Sequence, residues 1–179
     1  GGLRRQLTSV LAALTVRDAA LAYEAIRGAT PAGMGRADRY DVREREVGVT
    51  LLDAMDAARE RDTIAREYVT DFQLTFSLGA ETLLRCWREG ARFSDAVLTT
   101  FLTILAETPD TLIARKNGGA VARDVSRRAA RVLAAGGTAT AAGGAALVAL
   151  TGELGDAAHA LNPGTTADLV AASLFVALT

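Results

Sequence analysis

The chain has 179 residues, enough for one domain that buries roughly 70% of the surface its unfolded form exposes. Half of the residues are apolar but only 5% are aromatic, so the apolar content is mostly Ala, Leu and Val, and Ala and Leu are the strongest helix formers. Lys and Arg number 20 against 21 Asp and Glu, with one cysteine and one histidine, which argues against a general electrostatic grip on nucleic acid or on an anionic membrane and excludes an internal disulfide and zinc sites built on several Cys or His.

Cys86 then reads as a small core residue, and a reducing, cytoplasmic setting is the expectation. The Gly- and Ala-rich stretch 134–150 is too interrupted to be a membrane span. The start, Gly1-Gly2-Leu3-Arg4-Arg5, carries no recognisable signal peptide and no initiator Met, so the chain is read as a processed form or a piece of a longer one.

The elements follow in chain order. Thr15 and Asp18 have the spacing of a capping box, and Ala19, Tyr23 and Ile26 continue at helical intervals as far as Gly28. Residues 28–39 read as a loop broken by Gly28, Pro31, Gly33 and Gly35. Val47, Leu51, Met55 and Ala58 mark one apolar stripe over 42–58, and Ile64, Ala65, Tyr68, Phe72 and Phe76 mark a second. Gly79 is expected to divide that run from a helix holding Leu83, Leu84 and Trp87. Ser94 is the expected N-cap of a helix running to Pro109. Gly118-Gly119 precedes a helix with Val121, Val125 and Val132, and 140–160 reads as a helix of small residues. Asn162-Pro163-Gly164 turns the chain into a last apolar helix, Thr165 to Leu178. No strand pattern is evident. The expectation is an all-α, compact, multi-helix single domain over 1–179.

Four clusters could carry chemistry, and each has a plain structural reading beside it. The loop Arg27-Gly28-Ala29-Thr30-Pro31-Ala32-Gly33-Met34-Gly35-Arg36 could bring backbone N–H groups and Arg27 or Arg36 to a phosphate; it is not a P-loop, and it also suits an ordinary helix connection. Asp53, Asp56, Asp62 and Asp71 could bind Mg²⁺ or form a solvated face neutralised by Arg59, Arg61 and Arg66. In Asp110-Thr111-Leu112-Ile113-Ala114-Arg115-Lys116-Asn117-Gly118, Arg115 and Lys116 could hold a polyphosphate or serve as cations at a helix C-terminus. Thr165 and Asp168 resemble a capping box, yet the helix start after Asn162-Pro163-Gly164 is also a natural phosphate site, where Asn162 and Asp168 could bind an accompanying metal. His159 lacks triad partners and reads as structural. Arg123, Arg127, Arg128 and Arg131 read as a solvated basic helix face.

Taken in order, these blocks resemble the triphosphoribosyl-dephospho-CoA synthase family, the ATP:dephospho-CoA triphosphoribosyl transferases. The resemblance rests on Leu14-Thr15-Val16-Arg17-Asp18-Ala19, Tyr23-Glu24-Ala25-Ile26-Arg27, Gly33-Met34-Gly35 leading to Asp41-Val42, and Arg61-Asp62-Thr63-Ile64-Ala65 with Asp71-Phe72. It continues through Asp110-Thr111-Leu112-Ile113-Ala114-Arg115-Lys116 and ends in Asn162-Pro163-Gly164-Thr165-Thr166-Ala167-Asp168-Leu169, the most specific block.

The resemblance implies a reaction in which the 2′-hydroxyl of 3′-dephospho-CoA attacks C1″ of the ATP ribose and adenine leaves. The product is the prosthetic-group precursor of citrate lyase or malonate decarboxylase. It implies Mg²⁺ with ATP, Asp110 and Asp168 as catalytic candidates, and Asp41, Asn162 and Asp168 as metal candidates. Arg27, Gly33, Gly35, Arg115, Lys116 and Thr165 become candidates for holding the nucleotide. Family motifs of the type Pro-Gly-Asn-Val-His and Gly-Gly-x-Asn-Thr-Asn are not in this sequence. The chain is therefore expected to be the carboxy-terminal part of a longer member, its site completed by an amino-terminal segment or a second chain. Two alternatives stay open: a related nucleotide-dependent enzyme with another acceptor, and a non-catalytic helical binding or assembly module.

Overall fold

A computed structural model describes residues 2–29, 35–44, 46–155 and 161–179. Among these the chain forms ten α-helices and no strand, as the composition leads one to expect. The helices are α1 (Gly2–Ala12), α2 (Val16–Ala29), α3 (Leu51–Ala58), α4 (Thr63–Val69), α5 (Glu81–Arg88), α6 (Phe93–Glu107), α7 (Thr111–Asn117), α8 (Gly119–Ala134), α9 (Ala141–Leu154) and α10 (Gly164–Leu178). None is both long enough and apolar enough to cross a membrane. Internal contacts group the chain into two units, Gly1–Phe72 and Gln73–Thr179, a division that the periodicity of the sequence does not mark.

The first unit holds α1 to α4. The capping box at Thr15 forms: the Thr15 N–H and hydroxyl donate to Asp18 Oδ2, each at 2.7 Å. The stripe expected over 42–58 becomes helical only from Leu51, because Thr50 caps α3 reciprocally with Asp53 and such a box fixes where a helix begins. Asp62 caps α4 by accepting from the N–H groups of Ile64 and Ala65. The run from Ile64 to Phe76 is not one helix. It breaks at Asp71 and Phe72, which take φ of 53° and 54°, a left-handed conformation uncommon for residues other than Gly, Asn and Asp. α1, which no apolar stripe announces, reaches this break, where the Thr8 hydroxyl donates to Asp71 Oδ1 at 2.9 Å.

The second unit holds α5 to α10. Its main core is formed by Leu102, Leu105, Ile113, Ala122, Val125, Ala129, Val132 and Leu150, from α6 to α9. A smaller cluster joins Leu83, Cys86 and Ala96, with Trp87, Leu174 and Ala177 against it. α6 starts one residue before Ser94, after Arg92 rather than at the Ser94 cap expected, and it ends at Glu107, before Pro109. α6 and α7 then meet at 54°.

Gly79 does not divide two helices. It lies inside a π-helical stretch, Thr75–Ala80, that runs directly into α5. The glycine is needed for packing instead. A Cβ at Gly79 would collide with the Ser173 side chain of α10 and lie 3.2 Å from Ile104 Cδ1, and Ser173 is itself fully buried. Close-packed interiors resist added atoms. Gly79→Ala should therefore destabilise the protein by about 1–3 kcal/mol in chemical denaturation, and Ser173→Gly in the same chain should recover part of that loss.

Candidate functional site

The two motif blocks of the second unit meet at one side chain. Asp110 precedes α7 and its Oδ1 accepts from the N–H groups of Leu112 at 2.9 Å and Ile113 at 3.1 Å, the usual work of an N-cap aspartate. Its Oδ2 reaches 56 residues along the chain and accepts from the Thr166 N–H at 2.8 Å and the Thr166 hydroxyl at 2.9 Å. Asp110 is 2% exposed and Thr166 likewise 2%. One carboxylate thus satisfies orphan donors at the starts of two helices, α7 and α10, and its negative charge suits the positive end of the α10 dipole.

The neighbouring threonines repeat the link, with the Thr111 and Thr165 hydroxyls 3.1 Å apart. Gly164 permits the approach, since a Cβ there would lie 2.7 Å from Leu112 Cδ2. Around this buried clamp, Asn162 and Asp168 on the α10 side and Arg115 and Lys116 on the last turn of α7 are exposed.

The chain belongs to the ATP:dephospho-CoA triphosphoribosyl transferase family. The family match covers residues 2–179 and therefore takes in both blocks that Asp110 joins. No curated protein and no solved structure matches the chain. Family membership makes this a transferase fold whose relatives use ATP and dephospho-CoA as substrates.

Measured against the residues picked from the sequence, the geometry sorts them. Asp110, Arg115, Lys116, Asn162, Thr165 and Asp168 lie in the second unit, and Asp110 is bonded directly to the turn that carries Asn162, Thr165 and Asp168. The Thr165–Asp168 capping box does not form, because α10 begins at Gly164 with no side-chain cap of its own; Asp110 supplies the anion from another helix. At the α10 N-terminus, where the sequence suggests a phosphate, the Thr166 N–H is taken by Asp110. Thr166, which the sequence presents only as one member of the block 162–169, is the residue that closes the clamp.

Arg27, Gly35 and Asp41 lie in the first unit. Arg27 Nη1 donates to the carbonyls of Val42 and Glu44, each at 2.9 Å, and the Tyr23 hydroxyl donates to Tyr40 O at 2.7 Å. Asp41 accepts from the N–H groups of Ala37 at 2.7 Å and Arg43 at 2.9 Å and pairs with the Arg43 guanidinium. These side chains hold the 35–44 segment onto α2. Gly33 and His159 lie outside the described residues. The acidic string is equally engaged: Asp53 and Asp62 cap helices, Asp56 pairs with Arg59, and Asp71 accepts from Thr8. Among the described residues no group of three His, Cys, Asp or Glu could hold a metal ion.

Two predictions follow from these bonds. Asp110→Ala should lower stability by about 2–4 kcal/mol, from two lost caps and buried donors left unmatched, with Thr166→Val costing less; urea unfolding of both variants measures this. The Ala37 N–H first, then the Arg43 N–H, hold the Asp41 carboxyl below the usual carboxylate range. A lowered folded value means that Asp41 supports its segment fully above that range and loses this support as pH falls through the lowered value. Amide shifts of Ala37 and Arg43 should therefore titrate with a midpoint below the usual carboxylate range, and Asp41→Asn should abolish that titration.

Proposed function

We propose that the chain carries the triphosphate-handling part of a triphosphoribosyl-dephospho-CoA synthase, the enzyme that joins ATP to 3′-dephospho-CoA with release of adenine. The observation that carries this reading is the Asp110–Thr166 clamp. It fastens the most specific family block, 162–169, to the block that begins at Asp110, and a carboxylate, an amide and two cations of these blocks are exposed.

In this reading Asp110 is a positioning residue. Both its oxygens already accept from the protein, so it has no lone pair turned to substrate, and its task is to fix the angle between α7 and α10. Asp168 is the carboxylate that acts on the substrates, with the Asn162 amide beside it. Arg115 and Lys116 offset the negative charge of the triphosphate.

The donor set fits Mg²⁺ brought in by ATP and does not fit a dedicated protein cage, since Mg²⁺ bound with phosphates asks for only one or two carboxylates and no cluster of three is present among the described residues. Asp168 and Asn162 would hold that ion, which when bound neutralises the triphosphate and draws charge off the ribose side of the reaction. The protein groups then keep the ATP ribose C1″ open to the 2′-hydroxyl of dephospho-CoA, whose proton must be lost as the new glycosidic bond forms and the bond to adenine breaks.

The test is adenine release by the full-length protein supplied with ATP, Mg²⁺ and dephospho-CoA. Adenine should appear only when all three are present. Asp168→Ala should lower kcat by about a hundredfold or more with the fold intact, and raising Mg²⁺ should recover part of the rate if Asp168 holds the metal. Folded protein that releases no adenine, or an Asp168→Ala variant with unchanged kcat, contradicts the reading.

A further inference from the structure

Outside the Asp110 clamp, the second unit has an open groove of about 330 Å³ between α8 and α9, lined by Arg128, Arg131, Ala146, Ala149, Leu150 and Glu153. Its origin lies in the sequence. Ala146 and Ala149 place only methyl groups along the edge of α9 that lines the slot, beside the buried Leu150. The volume lies within the size range of small-molecule sites, which combine an apolar lining with few polar groups.

The polar groups here are unequal. Arg128 is fixed: its Nε pairs with Asp124 Oδ2 at 2.7 Å and its Nη1 with Glu153. That ion pair closes one wall and engages Glu153, the one lining carboxylate among the described residues. Arg131 is exposed and has no carboxylate partner among the described residues. Along α8 it continues a line of exposed arginines, Arg123, Arg127 and Arg131, spaced four residues apart. Such a row spans about 12 Å of helix. Across residues 111–155 Arg and Lys number six, Arg115, Lys116, Arg123, Arg127, Arg128 and Arg131, against Asp124 and Glu153 alone, in a chain whose net charge is −1. A slot walled by alanines that opens onto an exposed guanidinium suits a ligand with a slender, extended body that carries a phosphate.

We infer that the α8–α9 groove binds the phosphopantetheine arm of dephospho-CoA, its chain lying over Ala146, Ala149 and Leu150 and its phosphate on Arg131. The inference rests on the proposed transferase reaction for the identity of the ligand; the groove itself does not. It assigns to α8 and α9 a binding role that the basic helix face, read alone, attributes to solvation. It also separates the site for the acceptor's tail from the clamp that serves the triphosphate.

The probe is pantetheine 4′-phosphate, titrated into isotope-labelled full-length protein, with inorganic phosphate and Mg–ATP titrated separately. Pantetheine 4′-phosphate should shift the amides of Arg131, Ala146, Ala149 and Leu150, and inorganic phosphate alone should leave Ala149 and Leu150 unmoved. Arg131→Ala should weaken binding roughly fivefold to tenfold, and should raise KM for dephospho-CoA with little change in kcat. Ala149→Leu, which fills the slot from an exposed position, should weaken pantetheine 4′-phosphate but not Mg–ATP. Groove amides that stay still, or an Arg131→Ala variant that binds equally well, overturn the inference. Mg–ATP shifts at 162–168 report the triphosphate site independently. If those appear while the groove is silent, only the groove assignment falls; if the groove responds and no adenine is released, the reaction falls and the groove stands.

Discussion

A carboxylate with almost no solvent contact must be matched by donors, because burying a charged or polar group without partners is strongly unfavourable. Asp110 meets that requirement with donors from two helices. Leu112 and Ile113 hold one oxygen, and the Thr166 N–H and hydroxyl hold the other. The consequence is geometric. The start of α10 cannot drift from the start of α7 without leaving a buried anion and a buried N–H unmatched. The Thr111–Thr165 contact and the bare Cα of Gly164 against Leu112 follow from that approach.

This constraint decides which residues are available for chemistry. A helix N-terminus attracts anions, and here the protein supplies its own, so a substrate phosphate has no claim on the Thr166 N–H. Asn162, Asp168, Arg115 and Lys116, which flank the clamp in sequence, are exposed. About two turns further along α10, Ser173 packs against Gly79 and donates to Thr75 O, which ties the same helix to the π-helical stretch.

The sequence shows the helical class directly, since Ala and Leu content, the Thr15–Asp18 box and the Gly118-Gly119 break each act through local chemistry. It shows less where long-range contacts win. The stripe before Leu51 looks helical, but Thr50 and Asp53 start α3 later. Gly79 looks like a breaker, but it serves a crossing with α10 that only the folded chain reveals. The family blocks 110–116 and 162–169 mark the two segments that Asp110 joins. The bond between them does not follow from either: Asp110 satisfies the local rule for capping α7, and nothing nearby says that its second oxygen crosses 56 residues to Thr166. Arg27 and Asp41 carry the same lesson, since nothing local says that their side chains bond backbone groups of residues 37–44.

Hydrogen exchange at single amides in the native protein and in Asp110→Asn tests the clamp most directly. The Thr166 amide should be strongly protected in the native protein. In the variant it should exchange faster, together with Leu112 or Ile113, because the substituted amide keeps one acceptor oxygen for two sets of donors. Exchange at Thr166 that is fast in the native protein, or unchanged by the substitution, would contradict the account that Asp110 joins α7 to α10.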